Sequence, residues 1–250
     1  MDEVEKKRFF GSMIFPALLV ILLWLIKLIE AGFNTSFSEY GLLPQSLIGL
    51  RGILFSPLLH GDWAHLAANS VPLFMLTAAL FYYYGKKARS IFVLSWLVTG
   101  LWVWIFAYGA GIHIGASGVV YALATFHFTS GILRREPRMM AFSLLVVFLY
   151  GGLVWGIIPD FYPKKNISWE SHLLGGLAGI LLAWAYRNEG PQRKIYIWDE
   201  EEGEEIEYVE EDTIEIAEPE NKLTENQIEK PESDQSAGTV DVNYIYTKKE

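Results

Sequence analysis

The sequence predicts an all-α, polytopic membrane protein: a bundle of six transmembrane helices followed by an acidic C-terminal tail. A mean hydropathy of +0.23 and a hydrophobic content of 52% are too high for an ordinary soluble domain of 250 residues. Six apolar runs have roughly the length that spans a bilayer. Charge is also divided unevenly, since residues 188–250 carry 20 acidic and 6 basic side chains, and residues 1–187 carry 9 acidic and 14 basic ones.

The first apolar run, Met13 to Ala31, follows a short charged segment, residues 1–12. This order resembles a signal peptide, but no small-x-small cleavage site follows and the run is long enough to span. We therefore interpret it as an uncleaved first membrane helix. Lys27 lies within the run, and we expect its side chain to extend to the membrane interface.

Five further runs predict the remaining helices, with "GKKAR" and "RREPR" as short basic connections. The segment from Gly32 to His65 contains prolines and several glycines, so it predicts a structured loop rather than a span. The five runs are Leu66 to Tyr84, Ser90 to Tyr108, Ala116 to Leu133, Met140 to Ile158 and His172 to Arg187.

The distribution of lysine and arginine predicts the orientation in the membrane. Most of the basic residues near helix ends fall on one side, and only Arg51, Lys164 and Lys165 fall on the other. Both termini are therefore expected in the cytoplasm, with the chain in a bacterial cytoplasmic membrane. The basic side comprises Lys6, Lys7, Arg8, Lys86, Lys87, Arg89, Arg134, Arg135, Arg138, Arg187, Arg193 and Lys194.

The composition of the tail and the absence of cysteine exclude several classes of function. Residues 188–250 form an acidic charge run, for which disorder and a cytoplasmic location are expected and nucleic-acid binding is not. The sequence does not indicate a partner for this tail. Without cysteine there is no disulfide, thiolate chemistry or cysteine-based metal site, and we expect no metal and no cofactor.

Polar residues stand at the starts of the second, fourth and sixth predicted helices. These helices all run from the outer side inward, so His65, Asn69, Ser117 and His172 are expected at one level near the outer face. His65 and Asn69 are four residues apart and share a helical face. Polar groups at membrane depth are costly, which makes such a gathering a candidate functional site.

Small residues predict that the fourth and sixth helices approach closely. Gly118 with Ala122, and Gly175 with Gly179, are small-xxx-small pairs of the kind that bring membrane helices together. Because His172 lies one turn before Gly175, the approach would bring its imidazole towards Ser117.

This pattern predicts a serine nucleophile with a histidine base. His172 would take the proton of Ser117, and the side chains of His65 and Asn69, with the Ser117 backbone N–H, would stabilise an oxyanion. Tyr121 lies one turn below Ser117 and would either stack on the imidazole or simply pack. The fourth helix, about 27 Å long, would start below the surface, and the glycine-rich loop before it would border a water-filled cavity.

Three segments together, "HGDWAHLAAN", "GASGVVYAL" and "SHLLGGLAG", resemble the rhomboid family of intramembrane serine proteases. The resemblance covers residues 13–187 and implies a six-helix protease domain that cleaves transmembrane protein substrates near the outer face of the membrane. It implies Ser117 as nucleophile, His172 as base and Tyr121 packed against that base. Gly115 matches the first glycine of the motif, and His60 is expected to have a structural role in the first loop.

The sequence departs from the family pattern at two places. Leu50 precedes Arg51 where members often carry tryptophan, and a glutamate often found after the second helix is lacking.

Two alternatives stay open: a catalytically silent rhomboid-like protein that binds membrane clients, and a transporter, although two related halves are not evident. An α/β-hydrolase elbow is excluded because G-x-S-x-G is absent. Other polar residues are assigned to local structure, cavity lining or exposed loops, namely His113, His127, Asp160 and Glu170.

Overall fold

The computed structural model describes residues 2–108, 111–149 and 168–191, which form an all-helical body with no strand among them. The predicted all-α class is confirmed. Residues 150–158 of the fifth predicted helix, and the tail beyond Pro191, lie outside the described residues. The main helices are α1 (Glu3–Gly32), α2 (Trp63–Tyr84), α3 (Ala88–Phe106), α4 (Ser117–Arg134), α5 (Pro137–Leu149) and α6 (Trp169–Ala185).

Several helices begin earlier than their apolar runs because a capping side chain sets the first turn. Asp62 accepts a hydrogen bond from the His65 backbone N–H at 2.8 Å and starts α2 three residues early. Asp2 caps α1, which begins at Glu3 and so includes most of residues 1–12. Ser168 caps α6. Helix α4 begins at Ser117, one residue later than expected.

The long loop between α1 and α2 is built from short helical turns and is tied to the segment that precedes α4. Leu42 and His113 form an isolated antiparallel bridge, with backbone hydrogen bonds of 2.8 and 2.9 Å. The loop is therefore structured, as predicted. Its turns are Ser38–Tyr40, Ile48–Arg51, Gly52–Phe55 and Ser56–Leu58, and a further turn, Gly85–Lys87, connects α2 to α3.

Helix α4 lies at the centre of the bundle, and most of its side chains are buried. By contrast, α1 exposes large apolar side chains such as Ile14, Leu18 and Leu25, which is typical of a helix in contact with lipid. Among the described residues, two continuous helical stretches are long and apolar enough to cross a bilayer: α1, and Trp63–Phe106, which contains α2 and α3.

The backbones of α4 and α6 are in direct contact. A Cβ atom on Gly175 would overlap the carbonyl oxygen of Gly118, and one on Gly179 would overlap that of Ala122. Between these contacts, the Thr125 hydroxyl donates a hydrogen bond to the Gly176 carbonyl of α6 at 2.8 Å. Only glycine permits this approach, so the predicted small-residue interface exists.

At the far end of the same helix pair, a buried arginine connects α4 to α6. The Arg134 guanidinium donates hydrogen bonds to the carbonyl oxygens of Tyr186 and Arg187 and to the Tyr84 hydroxyl. Its side chain also lies over the Tyr84 ring, 4.9 Å from the centroid. Arg134 therefore binds the carbonyl groups of the two residues that directly follow α6, and it holds the end of that helix against α4.

Candidate active site

A serine and a histidine from the packed helices α4 and α6 form a hydrogen bond. Ser117 is the first residue of α4, and His172 lies in the first turn of α6. The Ser117 Oγ and the His172 Nε2 are 2.8 Å apart, and His172 is buried. The geometry lets the imidazole accept the hydroxyl proton, which is the arrangement that activates a serine.

Tyr121 supports the imidazole from one face. Its ring lies 4.2 Å from that of His172 with an interplanar angle of 18°, and it is buried one turn below Ser117. Of the two roles left open for this tyrosine, stacking on the histidine is the one observed.

Gly115 leaves room for the His65 ring beside the start of α4. Gly115 has a φ of +113°, a conformation that L side chains rarely adopt, and its backbone N–H donates to the Ser56 carbonyl at 2.8 Å. A Cβ atom there would lie 2.7 Å from the Nε2 and Cε1 atoms of His65. The His65 ring therefore packs against the backbone two residues before Ser117.

Asn69 lies one turn further along α2 and is buried. Its Nδ2 donates a hydrogen bond to the His65 carbonyl oxygen of its own helix at 2.9 Å. An amide nitrogen carries two protons, so this bond orients the side chain and leaves a second donor.

His60, in the loop between α1 and α2, contacts His65 and the backbone just before Ser117. Its ring is buried, meets the His65 ring edge-on at 5.0 Å, and its Nε2 accepts a long hydrogen bond of 3.4 Å from the Ala116 backbone N–H. Burial, with a smaller contribution from the neighbouring His65, lowers the pKa of His60 to about 3. His60 is therefore neutral at physiological pH and able to act as this acceptor.

Lys27, whose side chain was expected to extend to the membrane interface, is held in an ion pair at the end of α1. Its ammonium group contacts Glu30 at 3.0 Å and donates to the carbonyl oxygens of His60 and Gly61, and the side chain is only 15% exposed. Sequence reasoning missed this pair. The signal that could have found it is a lysine and a glutamate three residues apart at the end of an apolar helix, where each can neutralise the other.

His113 forms a polar cluster beside the candidate site. Its Nδ1 lies 2.5 Å from the Ser168 Oγ and 3.1 Å from the Ser171 Oγ, and the two hydroxyls are 2.7 Å apart. The cluster joins the loop before α4 to the start of α6. Burial lowers the pKa of His113, which keeps it neutral.

Two other polar residues singled out in the sequence, Glu170 and His127, bind backbone groups of other segments. The Glu170 carboxylate accepts a hydrogen bond from the Tyr108 backbone N–H at 2.8 Å, and His127 is buried inside the bundle with its Nε2 3.0 Å from the Leu76 carbonyl. Asp160 lies outside the described residues. Within the described ranges, no group of three or more His, Cys, Asp or Glu side chains could hold a metal ion.

Comparison with known proteins places this chain in a family. Residues 49–189 match the Rhomboid domain. The chain is 32% identical over 180 residues to the uncharacterized protein Rv1337 of Mycobacterium tuberculosis, covering 70% of this chain and 74% of that protein. It is 29% identical over 178 residues to the uncharacterized protein ML1171 of Mycobacterium leprae, covering 69% and 70%. It is also 28% identical over 129 residues to a Bacillus subtilis protein named "Putative rhomboid protease YdcA", covering 51% and 62%. The chain therefore belongs to the rhomboid family of membrane proteins.

Proposed function

We propose that this protein is an intramembrane serine endopeptidase that hydrolyses peptide bonds of transmembrane substrates near the outer face of the membrane. The observation that carries the proposal is the 2.8 Å hydrogen bond between the Ser117 hydroxyl and the His172 imidazole, made between two helices held in backbone contact. Family membership supports the same conclusion independently.

In the first half of the reaction, the Ser117 Oγ attacks the carbonyl carbon of the scissile bond while His172 Nε2 accepts the hydroxyl proton. The tetrahedral intermediate then collapses as His172 returns that proton to the leaving amine, which produces an acyl-enzyme. The Tyr121 ring stacked on His172 keeps the imidazole in the plane that serves both transfers.

The oxyanion of the intermediate would form beside the start of α4. The backbone N–H of Ser117 lies at the positive end of this helix. The His65 ring lies beside this point because Gly115 leaves space for it, and the second amide proton of Asn69, one turn further along α2, would be a further donor. Donors arranged before the reaction stabilise the developing charge without reorganisation.

Hydrolysis of the acyl-enzyme needs one water molecule, which His172 would deprotonate as it did the serine. The segment before α4 is irregular backbone bridged to the first loop. Irregular backbone at membrane depth is stable when it is buried in protein or borders a water-filled cavity. We propose that such a cavity supplies the water.

We further propose six membrane spans with both termini in the cytoplasm of a bacterial cell, a tail beyond residue 187 that lacks a fixed fold, and single-spanning membrane proteins as substrates. The orientation is supported by the asymmetry of lysine and arginine between the two sides, and the tail by its acidic composition.

The function is tested with purified protein in detergent and a fluorescent transmembrane peptide substrate. Wild-type protein should cleave the peptide and react with a fluorophosphonate probe, and Ser117→Ala and His172→Ala should each abolish cleavage, because either change removes the nucleophilic route. Circular dichroism and size-exclusion profiles serve as folding controls.

The same experiment separates the proposal from its alternative. A wild-type protein that binds the peptide without cleaving it, and does not react with the probe, would be a catalytically silent member of the family. Labelling that persists in Ser117→Ala would indicate a different nucleophile.

A further inference from the structure

A largely buried ion pair near the end of α1 contacts the loop that leads into α2. The side chains of Lys27 and Glu30 are 15% and 4% exposed, and the Lys27 Nζ lies 3.0 Å from the Glu30 Oε2. The same Nζ donates to the carbonyl oxygens of His60 at 2.9 Å and Gly61 at 3.1 Å. An ammonium group has three protons, so each of them has an acceptor here.

Glu30 extends the connection to the other end of the loop. While its Oε2 faces Lys27, its Oε1 accepts a hydrogen bond from the Phe37 backbone N–H at 2.7 Å. The ion pair thus holds the loop at two points, a few residues after α1 ends and directly before α2 begins.

The second of these points is next to the candidate active site. His60, whose carbonyl oxygen binds Lys27, contacts the Ala116 N–H through its ring and packs edge-on against His65. His65 in turn packs against Gly115. Lys27 is therefore connected through His60 to the backbone that immediately precedes Ser117.

Stability alone is a weak explanation for this pair. Removing two charges from water costs free energy that their attraction only partly recovers, and a well-packed apolar pair is often equally stable. Ionisable residues within membrane helices are rare and usually have a functional role.

We propose that Lys27 and Glu30 are positioning residues for the oxyanion side of the active site. They hold the His60–Gly61 backbone against α1, so that the rings of His60 and His65 stay packed against the segment before Ser117. This inference rests on the proposed protease function.

The first test compares Lys27→Met with Lys6→Met. Lys6 pairs with Glu3 at 2.8 Å on the same helix with the same spacing, but both are exposed, so Lys6→Met is a matched control. Lys27→Met should lower kcat about 10- to 100-fold with little change in KM, because small displacements in a site of this kind cost that much. Lys6→Met should keep the wild-type rate, and Lys27→Arg, which retains the charge and its donors, should recover part of the loss.

The second test asks whether the effect passes through His65. In a His65→Ala background, Lys27→Met should cause little further loss, because the group that it positions is already absent. Hydrogen exchange of the backbone amides of residues 59–64 should accelerate in Lys27→Met and not in Lys6→Met. If Lys27→Met does not fold, Glu30→Gln, which keeps an acceptor for Phe37, should show the same non-additivity with a smaller loss.

The results separate this inference from the proposed function. Unchanged exchange in Lys27→Met, an unchanged kcat, or a loss that adds in full to that of His65→Ala would each overturn the positioning role. A folded wild-type protein that neither cleaves the substrate nor reacts with the probe would contradict the protease function instead, and the exchange measurement would still decide whether Lys27 holds the loop.

Discussion

The imidazole of His172 lies nearly parallel to the ring of Tyr121, with ring centroids 4.2 Å apart, while its Nε2 faces the Ser117 hydroxyl. The two contacts restrain the imidazole in different directions, one perpendicular to its plane and one within it. A base that is fixed in this way needs no reorientation before it accepts a proton.

Replacement of Tyr121 should therefore separate ring stacking from simple space filling. Tyr121→Phe keeps the stacked ring and should retain more of kcat than Tyr121→Leu, which should lower kcat about 10- to 100-fold through misplacement of the imidazole. The measurement is steady-state cleavage of a transmembrane peptide. Equal losses in the two folded variants would argue against a role for stacking.

Two neighbouring glycines of α6 should respond very differently to alanine. At Gly175 a Cβ atom would overlap the Gly118 carbonyl oxygen, whereas at Gly176 the nearest neighbour would be the Thr125 Cγ2 at an ordinary 3.5 Å. Gly175→Ala should lower the free energy of unfolding by about 1–3 kcal/mol, typical of overpacking, and reduce cleavage. Gly176→Ala is the control and should be tolerated. Thermal unfolding in detergent compares them, and similar midpoints would contradict the described approach of α4 and α6.

The proposed oxyanion donors should affect kcat more than KM. Removal of one such donor lowers the rate about 10²- to 10³-fold, and this is expected for both His65→Ala and Asn69→Ala. Ser70→Ala is a suitable control, because Ser70 also bonds a carbonyl of its own helix, that of Leu66 at 2.7 Å, but contacts Trp24 of α1. Variants of His65 and Asn69 that changed only KM would identify these residues as substrate contacts.

The protein should lose stability on mild acidification, partly through His60. Burial lowers the pKa of this residue from an ordinary 6.5 to about 3, so between these values the unfolded chain binds a proton that the folded chain does not. Stability is therefore lost as the pH falls through this range. The lowered pKa of His113 acts in the same direction.

His60→Gln should flatten the dependence of the unfolding free energy on pH between 7 and about 4.5. The lower limit stays above the ordinary pKa of 3.8 of the nearby Asp62, whose own pKa is lowered mainly by its hydrogen bond with the His65 backbone N–H. Chemical denaturation at several pH values gives the slope. A slope equal to that of wild type would show that His60 does not contribute.

Truncation after Lys194 should leave the intrinsic cleavage rate in detergent nearly unchanged. The Rhomboid domain match ends at residue 189, and the strongly acidic segment that follows would be repelled by an anionic inner leaflet. The comparison uses full-length and truncated protein with the same substrate. A large loss of activity in a folded, monodisperse truncated protein would assign the tail to the working enzyme.

Hydropathy and residue spacing were sufficient to predict the helices and the meeting of α4 with α6, because both follow from local pattern. Helix α4 begins one residue later than predicted. Helices α1 and α2 begin earlier than their apolar runs because Asp2 and Asp62 cap them. Hydropathy marks the apolar part of a helix, whereas its first turn depends on a capping side chain.

Contacts between distant segments could not be predicted in the same way. The interactions of Lys27 with His60 and Gly61 join residues more than thirty positions apart through backbone carbonyl groups, which leave no signature in the sequence. The cluster of His113 with Ser168 and Ser171 depends on how two irregular segments meet. The roles assigned to Ser117 and His172 stay predictions until the variants are measured.

Helices α4 and α6 are joined by Arg134 at one end, by glycine contacts along their length, and by the Ser117–His172 hydrogen bond at the other. These contacts tie the two helices together along their length, so under the proposed protease function we expect a bulky substrate to enter by displacement of other parts of the bundle. On this proposal the rigid region that aligns Ser117 with His172 and the region that moves to admit a substrate are separate, so the bundle would open without loss of that alignment.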